Sequence, residues 1–195
     1  PFLTGNPMAS IAANEVDCDF ILLTHAHGDH LGDAPAIAVR TGAAIVAIPE
    51  VISVCESQAC AEIQSHPMNI GGSLSLPFGK VRMTFAQHSA GVAGGIACGF
   101  VIYIGGKVVY YAGDTALFSD MQLIGRKDAI DYAVLPIGDN YTMGLEDAAM
   151  AAQWLNAGHV IPIHYDTWPI IAQEVNRYKE VTEAMTRAKV NVVAP

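Results

Sequence analysis

The sequence predicts a layered α/β architecture, an αββα four-layer sandwich, and two observations point to it. Short apolar runs alternate with helical patterns near both ends of the chain, and a stretch of strands and turns without a helix lies between them, at residues 71–111. The order strand–helix, strands, strand–helix gives two sheets. Packing them face to face, with helices on their outer faces, would bury every apolar surface. No linker, repeat or low-complexity segment interrupts the chain, so residues 1–195 read as one domain.

Taken in order, residues 1–10 are turn-rich and read as a loop. Residues 19–24 (DFILLT) are a short apolar run suited to a buried strand. A helix is expected over residues 34–40, closed by Gly42. Residues 43–48 read as a second buried strand, and residues 51–64 have helical spacing. Residues 80–86 alternate polar and apolar side chains. Residues 101–104 and 107–111 flank Gly105-Gly106, a two-residue hairpin signal. Residues 132–137 read as a strand, 145–156 as a helix ended by Gly158, 160–163 as a strand, 170–189 as mostly helical and 190–193 as a last strand.

Composition narrows the function. Hydrophobic residues make up 52% and charged residues 15%, which excludes a disordered chain. The longest apolar stretch, residues 96–104, is too short to span a bilayer. Net charge is −9, and the 10 Lys and Arg residues are scattered. A polyanion binder needs a basic stripe, so long nucleic acid is not an expected partner, and neither is a membrane. The expected partner is a small-molecule substrate, and a homo-oligomer is compatible with the sequence. Cys18, Cys55, Cys60 and Cys98 include no C-x-x-C pair and read as reduced core thiols of a cytoplasmic protein.

The chemistry is concentrated in His25-Ala26-His27-Gly28-Asp29-His30, directly after an apolar strand. Imidazole and carboxylate are ordinary ligands of zinc and its first-row neighbours. In an extended turn His25 and His27 point to one metal. Asp29 and His30 turn toward a second, and Gly28 lets the backbone bend between the pairs. Two metals need more ligands than this loop supplies. His88, Asp114 and His164 each follow a predicted strand, and neighbouring strands would bring all seven residues to one edge. His66, before Pro67 in a loop, and His159, at the far end of the strand that leads to His164, read as non-ligands.

The pattern H-x-H-x-D-H, followed by separate His, Asp and His at strand ends, resembles the metallo-β-lactamase superfamily. The words THAHGDHLGD (24–33), YAGDTALFSDM (111–121), LPIGDNYTMGLED (135–147) and VIPIHY (160–165) resemble a branch of predicted metal-dependent hydrolases that is similar to L-ascorbate-6-phosphate lactonase, as does PFLTGNP (1–7). The likeness covers nearly the whole chain and implies the αββα fold of metallo-β-lactamase type. Relatives usually begin with a β-hairpin upstream of residues 1–7 and continue past residue 193. By that resemblance the chain lacks its first hairpin and reads as truncated at both ends.

The resemblance also implies a division of ligands: His25, His27 and His88 on one metal, Asp29, His30 and His164 on the other, and Asp114 between them. Zinc is the expected ion, with Mn2+, Ni2+ or Fe2+ compatible. Two divalent ions bring +4, and two aspartates with one hydroxide bring −3. The remaining positive charge suits an anionic substrate group or a developing oxyanion. Asp29, Asp114 and Tyr141 are the candidate catalytic residues, Tyr141 as a donor from the polar loop at residues 139–142. Asp33 has two readings, a hydrogen-bond partner of a ligand histidine or the cap of the helix at residue 34. Trp154 and Trp168 read as packing residues, Trp168 close enough to His164 to shade a pocket.

The expected function is hydrolysis of a small, anionic ester, lactone or phosphoester. The alternatives are a phosphodiesterase or nuclease of the same superfamily, and a non-catalytic metal-binding or ligand-sensing domain. A redox flavodiiron-type protein shares the fold but typically has a carboxylate where this chain has His27.

Overall fold

The computed structural model describes residues 1–193. The chain is mixed α/β, with two sheets and helices, and divides into two compact units. The first comprises residues 1–72 and 89–97, and the second residues 73–88 and 98–193.

The first unit holds β1 (Phe20–Leu22), a single helical turn α1 (Gly28–Leu31), α2 (Ala34–Thr41), β2 (Ala44–Ala47), α3 (Pro49–Ala59) and β3 (Ser65–Pro67). Its three strands pair in parallel, in the order β1-β2-β3. β2 is buried along its whole length, as its unbroken apolar run requires, and Ile37, Val51 and Cys55 are buried with it. Gly42 closes α2 in the left-handed conformation, as expected. α3 stops five residues short of the predicted end, because Cys60 turns left-handed there. The chain then returns as β3, so His66 lies on a strand and not in a loop; its ring stacks on Phe20.

Asp33 fills neither of its expected roles. Its side chain makes no cap bond to α2, and its Oδ2 accepts the backbone N–H groups of Leu3 (2.8 Å) and Thr4 (2.9 Å). The carboxylate thus clamps the turn-rich first residues beside the helix. Partial burial pushes its pKa up, but the bonds from Thr4 and Leu3 outweigh this and hold it below its ordinary value near 3.8. The clamp's stability is therefore fully present above that value and is lost as pH falls through the lower folded value. Asp33→Ala is expected to lower stability by about 1 kcal/mol near neutral pH, a figure reduced for the group's exposure. Denaturant melts at pH 7 and pH 3 check this: the gap between variant and parent should shrink at the lower pH.

The second unit is built on a seven-stranded sheet. It contains β4 (Ser73–Leu76), β5 (Gly79–Phe85), β6 (Cys98–Ile104), β7 (Lys107–Tyr111), α4 (Met121–Lys127), β8 (Tyr132–Pro136), α5 (Leu145–Leu155), β9 (His159–Ile163), α6 (Val175–Met185) and β10 (Lys189–Val190). The strand order is β10-β9-β8-β7-β6-β5-β4, antiparallel from β4 to β7 and parallel from β7 to β10. Gly105 and Gly106, both at positive φ, close the β6–β7 hairpin with Ile104 opposite Lys107. Residues 170–189 form a shorter helix than predicted, and the last strand ends at Val190. Left-handed Asn156, two residues before Gly158, ends α5.

The core of this unit runs through Val101, Tyr110, Met121, Leu135, Leu155 and Tyr178, with Trp154 packed against it. Cys98 and Cys55 are buried, and burial pushes their thiols up to about 12 and about 11 respectively, so both stay protonated. None of the four cysteines is in a disulfide, but Cys60 is exposed and Cys18 half-buried, so these two are not core thiols. Among the described residues no helix is long and apolar enough to cross a membrane.

Candidate metal centre

In the first unit the chain leaves β1 at Leu22 and runs through Thr24 to His25, which is fully buried. His27 is still extended and precedes α1, whose four residues include Asp29 and His30. The expected extended turn is therefore half extended and half helical. The change of conformation after His27 is what gathers the four side chains. Nε2 of His25 lies 2.9 Å from Nδ1 of His27, Nε2 of His30 lies 3.4 Å from Oδ2 of Asp29, and the rings of His25 and His30 are 4.1 Å apart. Gly28 has no positive φ and nothing near its missing Cβ, so the bend does not depend on it.

The glycine that matters is Gly91. It sits at φ +68°, and a Cβ there would lie 2.7 Å from Cδ2 and 2.8 Å from the backbone N of His27. Gly91 belongs to residues 89–97, the part of the β5–β6 connection that joins the first unit. Ala90 holds this segment against the ligand loop by accepting the N–H of Ala26 at 2.8 Å. Ser89 places Oγ 3.3 Å from Nε2 of His27, and buried Thr24 places Oγ1 3.0 Å from Nδ1 of His25.

In the second unit His88 follows β5, Asp114 follows β7 and His164 follows β9, as predicted. Oδ2 of buried Asp114 lies 3.6 Å from Nε2 of His88 and 3.3 Å from Nε2 of His164. His164 takes φ +55°, a conformation that costs a non-glycine residue on the order of 1–2 kcal/mol. It is held there by its neighbours. Ile137 donates its N–H to Ile163 at 3.0 Å, and Gly138 passes so near that a Cβ would lie 2.2 Å from the carbonyl oxygen of His164.

Thr115 ties this cluster to its surroundings. Its Oγ1 accepts the N–H of Gln87, next to His88, and its carbonyl accepts the N–H of Met143 at 3.1 Å. Met143 ends the polar loop of Asp139 and Asn140, both left-handed, and of Tyr141, which is 54% exposed. Trp168 is likewise exposed and does not belong to the core, in contrast to Trp154. His159 stacks on Tyr132 at the start of β9 and shares a hydrogen bond with Asn191, a structural role.

All seven predicted ligands are candidate metal-binding residues, four in the first unit and three in the second. Within each cluster the paired donor atoms are 2.9–3.6 Å apart. Ligands about 2.0–2.1 Å from a zinc ion stand roughly 3.3 Å from each other along a tetrahedral edge. The donor set and its spacing therefore fit a divalent metal. Sequence reasoning missed Thr24, Ser89, Gly91, Thr115 and Gly138. Thr24 and Thr115, each next to a predicted ligand, were within reach of a local pattern.

Residues 2–165 match the model of the beta-lactamase superfamily domain. A UPF0173 metal-dependent hydrolase of Pelotomaculum thermopropionicum is 48% identical over 203 residues, covering 100% of this chain and 88% of its own. The chain belongs to the UPF0173 metal-dependent hydrolase family. It is thus a metal-dependent hydrolase of the metallo-β-lactamase superfamily. A solved structure of Igni18, a metallo hydrolase from Ignicoccus hospitalis, is 38% identical with a TM-score of 0.89, covering 97% of this chain and 84% of that one. The isothiocyanate hydrolase from Delia radicum gut bacteria, 20% identical with a TM-score of 0.75 over 97% of this chain and 80% of its own, shares the fold alone. The metallo-β-lactamase fold read from the motifs is the fold of this family member.

Proposed function

We propose that the two ligand clusters are halves of one dinuclear centre that hydrolyses a small ester, lactone or phosphoester. His25, His27 and His88 would hold one ion, and Asp29, His30 and His164 the other, with Asp114 shared. The observation that carries this reading is Asp114 itself, whose single oxygen Oδ2 faces Nε2 of both His88 and His164. A carboxylate that faces two imidazoles assigned to different ions would serve as the bridge between them. Zinc suits a set of five imidazoles and two carboxylates.

Two such ions supply Lewis acidity toward the acyl or phosphoryl oxygen and an activated water nucleophile. The remaining work falls to the chain. Asp29 and Asp114 set the negative charge of the site and leave a net positive balance for a substrate oxyanion. The loops at residues 139–144 and 164–174 contain Asp139, Asp166 and Glu174 and no Lys or Arg. An anionic group on the substrate would therefore be received by the ions and not by basic side chains. Tyr141 has an exposed phenol on a loop anchored to Thr115, and would be the donor to the substrate oxygen that gains charge. Cleavage would add the elements of that water across the bond, hydroxyl to the acyl or phosphoryl centre and the remaining proton to the leaving oxygen.

The lactone preference draws on the sequence likeness to L-ascorbate-6-phosphate lactonase, and the small size on the net charge of −9, which repels a long polyanion. The test is a turnover screen of metal-reconstituted protein on lactones, esters, thioesters, phosphomonoesters, phosphodiesters and single-stranded RNA and DNA. Lactone or ester turnover without cleavage of long nucleic acid is expected. Efficient cleavage of long RNA or DNA, with no lactone or ester turnover, would replace this reading by the nuclease one.

A further inference from the structure

His25 and His27 are met by hydroxyls on opposite ring nitrogens. Thr24 Oγ1 lies at Nδ1 of His25 (3.0 Å), and Ser89 Oγ lies at Nε2 of His27 (3.3 Å). The other two nitrogens, Nε2 of His25 and Nδ1 of His27, face each other at 2.9 Å, with the rings 84° apart. A neutral imidazole has one N–H and one lone pair, and the bond made by one nitrogen decides which side carries the proton. We propose that Thr24 and Ser89 are positioning residues that set these two tautomers, each hydroxyl accepting the ring N–H on its side so that both lone pairs point at one cation.

The inference rests on the reading that His25 and His27 hold a metal, and adds how the chain prepares them for it. Two bare lone pairs 2.9 Å apart repel each other, so this pair of tautomers is favourable only with a cation between them. The two hydroxyls come from different parts of the chain. Thr24 precedes the motif, whereas Ser89 is delivered by the β5–β6 connection, held by the Ala26–Ala90 hydrogen bond. Gly91, which has no Cβ to strike His27, leaves the ring free to reach Ser89. A histidine ligand whose second nitrogen loses its partner typically binds metal about 10–100-fold more weakly.

The test compares the wild type with Thr24→Val, which keeps the shape of a buried residue, with Ser89→Ala at an exposed one, and with Thr24→Ser, which keeps the hydroxyl. Zinc affinity is read by competition with a chelator, metal-free thermal stability serves as the folding control, and nitrogen NMR of the zinc-loaded protein reports the ring protons. Thr24→Val and Ser89→Ala should each lose about 10–100-fold in affinity, with Thr24→Ser close to the wild type. The protons should lie on Nδ1 of His25 and Nε2 of His27. Should Thr24→Val fail the folding control, Ser89→Ala decides. Unchanged affinity in the variants, or ring protons on the opposite nitrogens, overturns the inference while leaving the metal reading intact. A wild type that binds no zinc overturns both.

Discussion

Asp114→Ala is expected to cost more activity than any other single substitution in the site, and clearly more than Tyr141→Phe. The carboxylate is buried and its Oδ2 faces Nε2 of His88 and of His164. Its removal takes away a negative charge and one donor from each proposed ion at the same time. The loss in metal affinity should exceed the roughly 10–100-fold that follows from removing a partner one step further out. Tyr141, half-exposed on its loop, offers one hydrogen bond, worth at most about 10²–10³ in rate even for a strong oxyanion donor. The comparison is kcat/KM of the two variants on the best substrate of the screen, at matched metal content. Comparable losses would show that Asp114 does not hold two ions.

Gly138→Ala should lower both stability and metal affinity although the residue touches no metal. The added Cβ would fall 2.2 Å from the carbonyl oxygen of His164 and 3.1 Å from Cβ of Ile171. Neither neighbour is the end of a flexible side chain, so the backbone at His164 must move. That backbone is already at φ +55°, where it has little freedom to relax without turning the ring. Overpacking of this kind costs about 1–3 kcal/mol. The displaced imidazole should weaken metal binding by about tenfold or more, since it no longer shares its position with Asp114. Gly144→Ala is the control, because its Cβ would meet Asp139 at an ordinary 3.5 Å. Melting temperature and chelator competition on the two variants decide it; equal behaviour would mean that Gly138 is not what seats His164.

What could be read from the sequence was local. The ligand loop was legible because four donors lie within six residues after an apolar run, and His88, Asp114 and His164 because each ends a strand with a clear pattern. The β6–β7 hairpin and the end of α2 were legible through glycines whose positive φ a turn or cap demands. Features that depend on packing were not. α4 carries Gly125 in its middle, a residue that argues against a helix. Yet a Cβ at Gly125 would strike the carbonyl of Trp154 at 2.4 Å, so the glycine is what lets α4 lie close against α5. Ser89 and Gly91 are more than 60 residues from the histidines they serve, and no spacing rule reaches that far. Asp33 looked like a cap or a ligand's partner because it stands between the motif and α2. Its actual partners, Leu3 and Thr4, became neighbours only on folding.

The central claim is that His25, His27, Asp29, His30, His88, Asp114 and His164 together hold two ions. It is tested most directly by elemental analysis of fully reconstituted protein, alongside the Asp114→Ala variant. Two divalent ions per chain in the wild type, and fewer in Asp114→Ala, is the predicted result. Saturation at one ion per chain, with Asp114→Ala binding as much metal as the wild type, would contradict it.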